Sequence, residues 1–120
     1  LGCGRSFEAP AAVLHESCMK LAALPPETKI FCGHEYTLSN GQFALKADPS
    51  NAALQARMRE IEALRAANKP TLPTTMAIEL ETNPFLRADN PAIKANLGMS
   101  GANPAEIFTE LRERKNKGWS

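Results

Sequence analysis

Lys29-Ile30-Phe31-Cys32-Gly33-His34-Glu35-Tyr36-Thr37 is the stretch on which the fold turns. Lys29 to Cys32 is a brief run of β-formers closed by a glycine, which predicts a buried strand that hands His34 to a loop at its end. The spacing on either side is helical. Upstream, Leu14, Cys18 and Leu21 fall at i, i+4 and i+7 between Ala9 and Ala23, and Pro10 suits a first turn. Leu24-Pro25-Pro26 stops that helix, because neither proline can donate a backbone hydrogen bond.

Downstream the chain reads as almost pure helix. Thr37 to Ala47 carries Leu38, Gln42 and Leu45 along one face with Phe43 beside them, and Asp48-Pro49-Ser50-Asn51 forms a turn and cap. Ala52 to Ala67 follows, with Leu54, Met58, Ile61 and Leu64 or Arg65 at helical spacing, and Arg57, Arg59, Glu60, Glu62 and Arg65 as solvated flanks. Pro70 and Pro73 bracket a non-helical stretch, after which Thr74 or Thr75 caps a short helix through Glu81 that Asn83-Pro84 ends. Asn90-Pro91 predicts an N-cap with a first-turn proline, and Gly98 the stop of that helix. Asn103-Pro104-Ala105-Glu106 predicts a capping box; the helix it opens buries Ile107, Phe108 and Leu111 and then turns basic at Arg112, Arg114, Lys115 and Lys117. The expected fold is mostly α with one or two short strands. A domain boundary is expected just after Tyr36, dividing residues 1–36 from residues 37–120.

Composition narrows the function classes. With 120 residues, 43% hydrophobic and 22% charged, the chain fits one compact domain or the tail of a larger one. It opens on Leu1 rather than Met, so a piece of a longer protein is expected. The formal net charge of +1 lacks the basic excess of a nucleic-acid binder. No apolar run approaches the length of a membrane span. Cys3, Cys18 and Cys32 form no even framework; free thiols in a reducing, cytoplasmic setting are expected, with Cys18 and Cys32 packed as small apolar residues. A four-ligand structural zinc site is not expected, since three scattered cysteines with His15 and His34 lack the paired spacing it needs.

Three groups could carry chemistry. His34, on a tight turn at a strand end, is either a hydrogen-bonded structural residue or a metal ligand whose partners lie elsewhere. Arg112 and Lys115, at i and i+3 on the last helix, can close on one anion or simply complement the helix dipole. The Gly2-Cys3-Gly4-Arg5 turn can bring backbone close to a ligand, or only reverse the chain.

Taken in order, Leu1-Gly2-Cys3-Gly4-Arg5, Cys32-Gly33-His34-Glu35-Tyr36-Thr37, Thr71-Leu72-Pro73-Thr74-Thr75, Asn83-Pro84-Phe85-Leu86-Arg87 and Arg112-x-x-Lys115 resemble glyoxalase II, the hydroxyacylglutathione hydrolases of the metallo-β-lactamase superfamily. The resemblance runs over essentially the whole chain and corresponds to the family's C-terminal half. It implies the end of an αββα catalytic domain followed by an all-helical substrate-binding domain. It implies hydrolysis of the thioester S-D-lactoylglutathione to glutathione and D-lactate by a hydroxide held between two divalent metal ions, zinc or zinc with iron or manganese. By the same resemblance His34 matches a metal ligand, Tyr36 and Arg5 match glutathione contacts, and Arg112 and Lys115 match the basic pair that holds the glycine-end carboxylate. Phe7 stands in the same binding loop where family members have a tyrosine, so one hydroxyl contact is missing; Ser6 and Ala9-Pro10 depart from the family pattern as well. The remaining metal motif, T-H-x-H-x-D-H, does not occur in these 120 residues, so most ligands are expected upstream and the chain alone is expected to be inactive. The expected partner is a small glutathione thioester, with no nucleic acid, no membrane and a monomeric protein. Two other readings stay open: a non-catalytic helical binding or scaffold module, and a different thioesterase of the superfamily.

Overall fold

Side-chain caps set where most helices begin. In the computed structural model, which describes residues 1–5 and 9–118, the Asn51 side chain accepts from the Leu54 amide at 3.1 Å and opens a helix over Ala52–Ala66. Thr75 does the same for Met76–Thr82 through the Ile78 amide, and Asn90 for Pro91–Asn96. At Asn103 the capping box is complete: its side chain accepts from the Glu106 amide at 2.9 Å and Glu106 accepts in return at 3.2 Å, opening Pro104–Asn116. Gly98 follows the Pro91–Asn96 helix at φ +72°, a left-handed position that suits glycine.

In chain order the elements are α1 (Ala11–Ala22), β1 (Lys29–Ile30), α2 (Thr37–Ala47), α3 (Ala52–Ala66), β2 (Thr74–Thr75), α4 (Met76–Thr82), a 3₁₀ turn (Pro84–Leu86), α5 (Pro91–Asn96) and α6 (Pro104–Asn116). The protein is mostly helical, and β1 and β2 pair antiparallel with Lys29 opposite Thr75 and Ile30 opposite Thr74.

The core is built around three phenylalanines. Phe85 stacks on Phe43 with centroids 5.7 Å apart and meets Phe108 edge-on at 5.4 Å. Cys18, Ile93, Leu97, Ile107 and Leu111 close around them, so the last helix docks on the first. A second cluster of Ala44, Leu54, Met58 and Ile61 fills the seam between α2 and α3. Gly41 is required there: a Cβ would meet the Met58 sulfur at 2.1 Å.

Several expectations are corrected. The strand ends at Ile30 and is not buried; Phe31 is 73% exposed and Cys32 is exposed too, because β2 offers only two residues to pair with. Cys32 therefore does not pack as a small apolar residue, whereas Cys18 does. Leu21 is exposed, since α1 meets α6 through Leu14 and Cys18 instead. On α2 the buried face is Gly41, Phe43, Ala44 and Ala47, with Gln42 exposed. Arg57, expected on a solvated flank, is buried, paired with Glu60 and donating to the Thr71 carbonyl at 3.3 Å. Phe7 lies outside the described residues.

Candidate functional site

The turn from Gly33 to Thr37 is held by its own glutamate. Glu35 Oε1 accepts from the Thr71 amide at 2.9 Å and from the Thr71 hydroxyl at 2.5 Å, and the Thr37 and Thr71 hydroxyls share a bond of 2.6 Å. The Thr71 hydroxyl, followed by its amide and by Arg65 and Arg57, holds the Glu35 carboxyl below its ordinary value, against a smaller opposing effect of burial. Arg65 Nη1 lies 3.7 Å from the same oxygen. This clamp joins the turn to the segment after α3, 36 residues away. His34 and Tyr36, the residues flanking Glu35, are both exposed, and their rings stack 5.1 Å apart with an 11° tilt.

At the other end, α6 folds back onto the start of the chain. Arg112 Nη1 donates to the carbonyls of Cys3 and Gly4 at 2.8 and 3.2 Å, and Nε donates to Asn116 Oδ1 at 3.1 Å. The guanidinium lies 5.2 Å from the centre of the Phe85 ring and the residue is only 4% exposed. The same loop is tied to α2 and the 3₁₀ turn: Asn40 donates to the Leu1 carbonyl at 2.8 Å and Asn83 to the Gly2 carbonyl at 2.9 Å.

Lys115 lies one turn beyond Arg112, half-buried, with Nζ 5.4 Å from the centre of the Phe43 ring. Burial holds its ammonium below the ordinary 10.5, and the charges of Arg112 and the exposed Arg5 push the same way, with Cys3 opposing. Arg5, Arg112 and Lys115 thus share one electrostatic neighbourhood. Among the described residues, none of the three is ion-paired with a carboxylate.

A metal site needs more donors than this arrangement brings together. Among the described residues no group of three His, Cys, Asp or Glu side chains converges. The residues described here do not fit a metal pair; His34 is a single exposed imidazole. No helix among the described residues is long and apolar enough to cross a membrane.

The sequence reading missed Glu35, because its partner is remote in sequence. It also missed the structural meaning of Asn83-Pro84-Phe85-Leu86-Arg87. Asn83 caps the 3₁₀ turn through the Phe85 amide at 3.0 Å, Phe85 sits at the centre of the core, and Arg87 pairs with the buried Asp48.

The family model described as hydroxyacylglutathione hydrolase C-terminus matches residues 35–118. A hydroxyacylglutathione hydrolase of Mesorhizobium japonicum is 61% identical over 115 residues, covering 96% of this chain and 45% of that protein. Proteins of the same name from Rhizobium johnstonii and Rhodopseudomonas palustris are 59% and 55% identical, covering 96% and 98% of this chain. They are themselves covered to 45% and 46%, so the chain spans about half the length of the curated relatives it matches.

Proposed function

Because this chain belongs to the hydroxyacylglutathione hydrolase C-terminus family, we propose that it supplies the glutathione-binding half of an enzyme that hydrolyses S-D-lactoylglutathione to glutathione and D-lactate. The observation that carries this reading is the gathering of Arg5, Arg112 and Lys115, with Lys115 depressed by its burial and by both arginines. Cations held close together and partly out of water repel one another, and an anion placed among them relieves that cost. The glycine-end carboxylate of glutathione is such an anion.

The spacing along α2 supports the same reading. Tyr36 stands at the N-terminal end of α2, seven residues before Phe43, so the two lie roughly 10 Å apart along the helix axis. Lys115 lies over Phe43. An extended tripeptide is also about 10 Å long. With its glycine carboxylate at Lys115, glutathione laid along α2 reaches Tyr36, whose hydroxyl is the proposed second contact, and Arg5 contributes a third charge. The acyl end then lies beside His34, which we assign as a single donor to the metal pair, the other donors coming from the part of the relatives this chain does not span. The free thiols Cys3, Cys18 and Cys32 suit a cytoplasmic protein, and a monomer is the form in which we expect it to act.

Titration calorimetry on this chain tests the reading. Glutathione is expected to bind, and γ-glutamylcysteine, which lacks the glycine, at least tenfold more weakly, since a charge-assisted bond contributes about 1.5–3 kcal/mol. Equal affinity for the two peptides, or none for either, would remove the carboxylate site and leave a helical scaffold as the better account.

A further inference from the structure

We propose that Phe43 and Phe85 are positioning residues of the carboxylate site, whose π faces hold Lys115 and Arg112 in the place where acidic partners would otherwise stand. The proposal rests on the glutathione reading above and adds what fixes its cations. Lys115 Nζ lies over the Phe43 ring, 5.4 Å from the centroid, and the Arg112 guanidinium carbon lies over the Phe85 ring at 5.2 Å. Both separations fall within the roughly 6 Å at which a ring quadrupole attracts a cation. The two rings are themselves stacked, 5.7 Å apart and 12° from parallel. Two cations at i and i+3 on α6 thus meet a single two-ring platform.

The platform is anchored in the core. Phe43 and Phe85 are both buried, and Phe108 meets Phe85 edge-on at 5.4 Å. Phe43 belongs to α2 and Phe85 to the 3₁₀ turn, so the rings tie the Lys115 head group to the helix along which the peptide is proposed to lie.

Charge explains why rings suit this task better than carboxylates. A carboxylate fixing Lys115 would cancel its charge and occupy its donors, and an incoming anion would have to displace it. An aromatic face attracts the cation through its quadrupole and carries no net charge. The ammonium therefore keeps both its charge and its donors for a ligand. The acids of the described residues are paired elsewhere: Glu110 with Arg114 on α6 itself, Asp48 with Arg87, and Glu35 with Arg65.

The test replaces Phe43, in the whole chain, with its 3,4,5-trifluoro analogue, which withdraws the negative face of the ring and changes its size little. Calorimetry then compares glutathione with γ-glutamylcysteine on the native and fluorinated proteins. Glutathione is expected to bind the fluorinated protein about two- to fivefold more weakly, with the 4-fluoro analogue in between and γ-glutamylcysteine unaffected. A ring that only fills the core would show no such gradation. Equal glutathione affinity across the fluorinated series would overturn the proposal and leave the carboxylate site standing. An equal loss for both peptides would overturn it too, since the ring would then support the helix rather than the cation. No glutathione binding by the native chain would remove the carboxylate site and this proposal with it. A second measurement needs no substitution: the ε-methylene protons of Lys115 should resonate upfield of those of the other lysines, shielded by the Phe43 ring. Finding them at the ordinary lysine position would contradict the assignment.

Discussion

Lys115 and Arg112 carry different burdens, although one turn of helix separates them. Arg112 spends its donors on the carbonyls of Cys3 and Gly4 and on Asn116, so it holds the loop as well as facing the cation group. Lys115 rests on Phe43 and is the cleaner probe of binding. Lys115→Ala is expected to weaken glutathione binding by about 1–2 kcal/mol while leaving the urea midpoint nearly unchanged. Arg112→Ala is expected to lower that midpoint as well, by about 1–3 kcal/mol of stability, because it leaves carbonyls without their donor. The pH dependence follows from the sign of the Lys115 shift. Its folded value lies below 10.5, so between that depressed value and 10.5 the unfolded chain binds more protons, and stability from this residue rises with pH. Below the window its half-buried charge is a constant cost. Urea melts from neutral pH to 10.5 should therefore show a rise in the wild-type protein relative to Lys115→Met; a flat difference would mean that Lys115 titrates normally.

Among the elements, the turn of residues 33–37 depends most on a remote partner. Glu35→Gln keeps the shape but removes the charge that Thr71 and Arg65 meet. A loss of about 1 kcal/mol in urea unfolding is expected, together with a changed fluorescence or NMR signature of Tyr36. An unaltered Tyr36 would show that the clamp does not set the turn. Helix starts were legible in the sequence because a cap is a local device: Asn51, Asn90 and Asn103 bond within three residues of themselves. What was not legible depends on distant chain. The extent of β1 is set by Thr74–Thr75, the burial of Arg57 by the carbonyl of Thr71, and the exposure of Phe31 by the lack of a longer partner strand. On α2 the 3.6-residue period allowed more than one face, and contact with α3 and the Phe85 ring selected the one through Phe43 and Ala44.

On the scale of the whole molecule, the start and end of the described chain are tied together through Arg112, Asn40 and Asn83, and the cation group forms at that knot. The candidate residues Arg5, Tyr36, Arg112 and Lys115 were named in the sequence through a resemblance in motif order, since no local pattern connects residue 5 with residue 115. The metal donors are a different matter. With no convergent group of three among the described residues, the chain alone should retain less than one equivalent of zinc after dialysis, as read by elemental analysis. The claim that this half of the protein carries the peptide site is tested most directly by amide NMR during titration with glutathione. Saturable shifts are predicted at Arg5, along α2 from Tyr36 to Phe43, and at Lys115, with those at Lys115 lost when γ-glutamylcysteine replaces glutathione. Shifts that avoid these residues, or that are the same with either peptide, would contradict it.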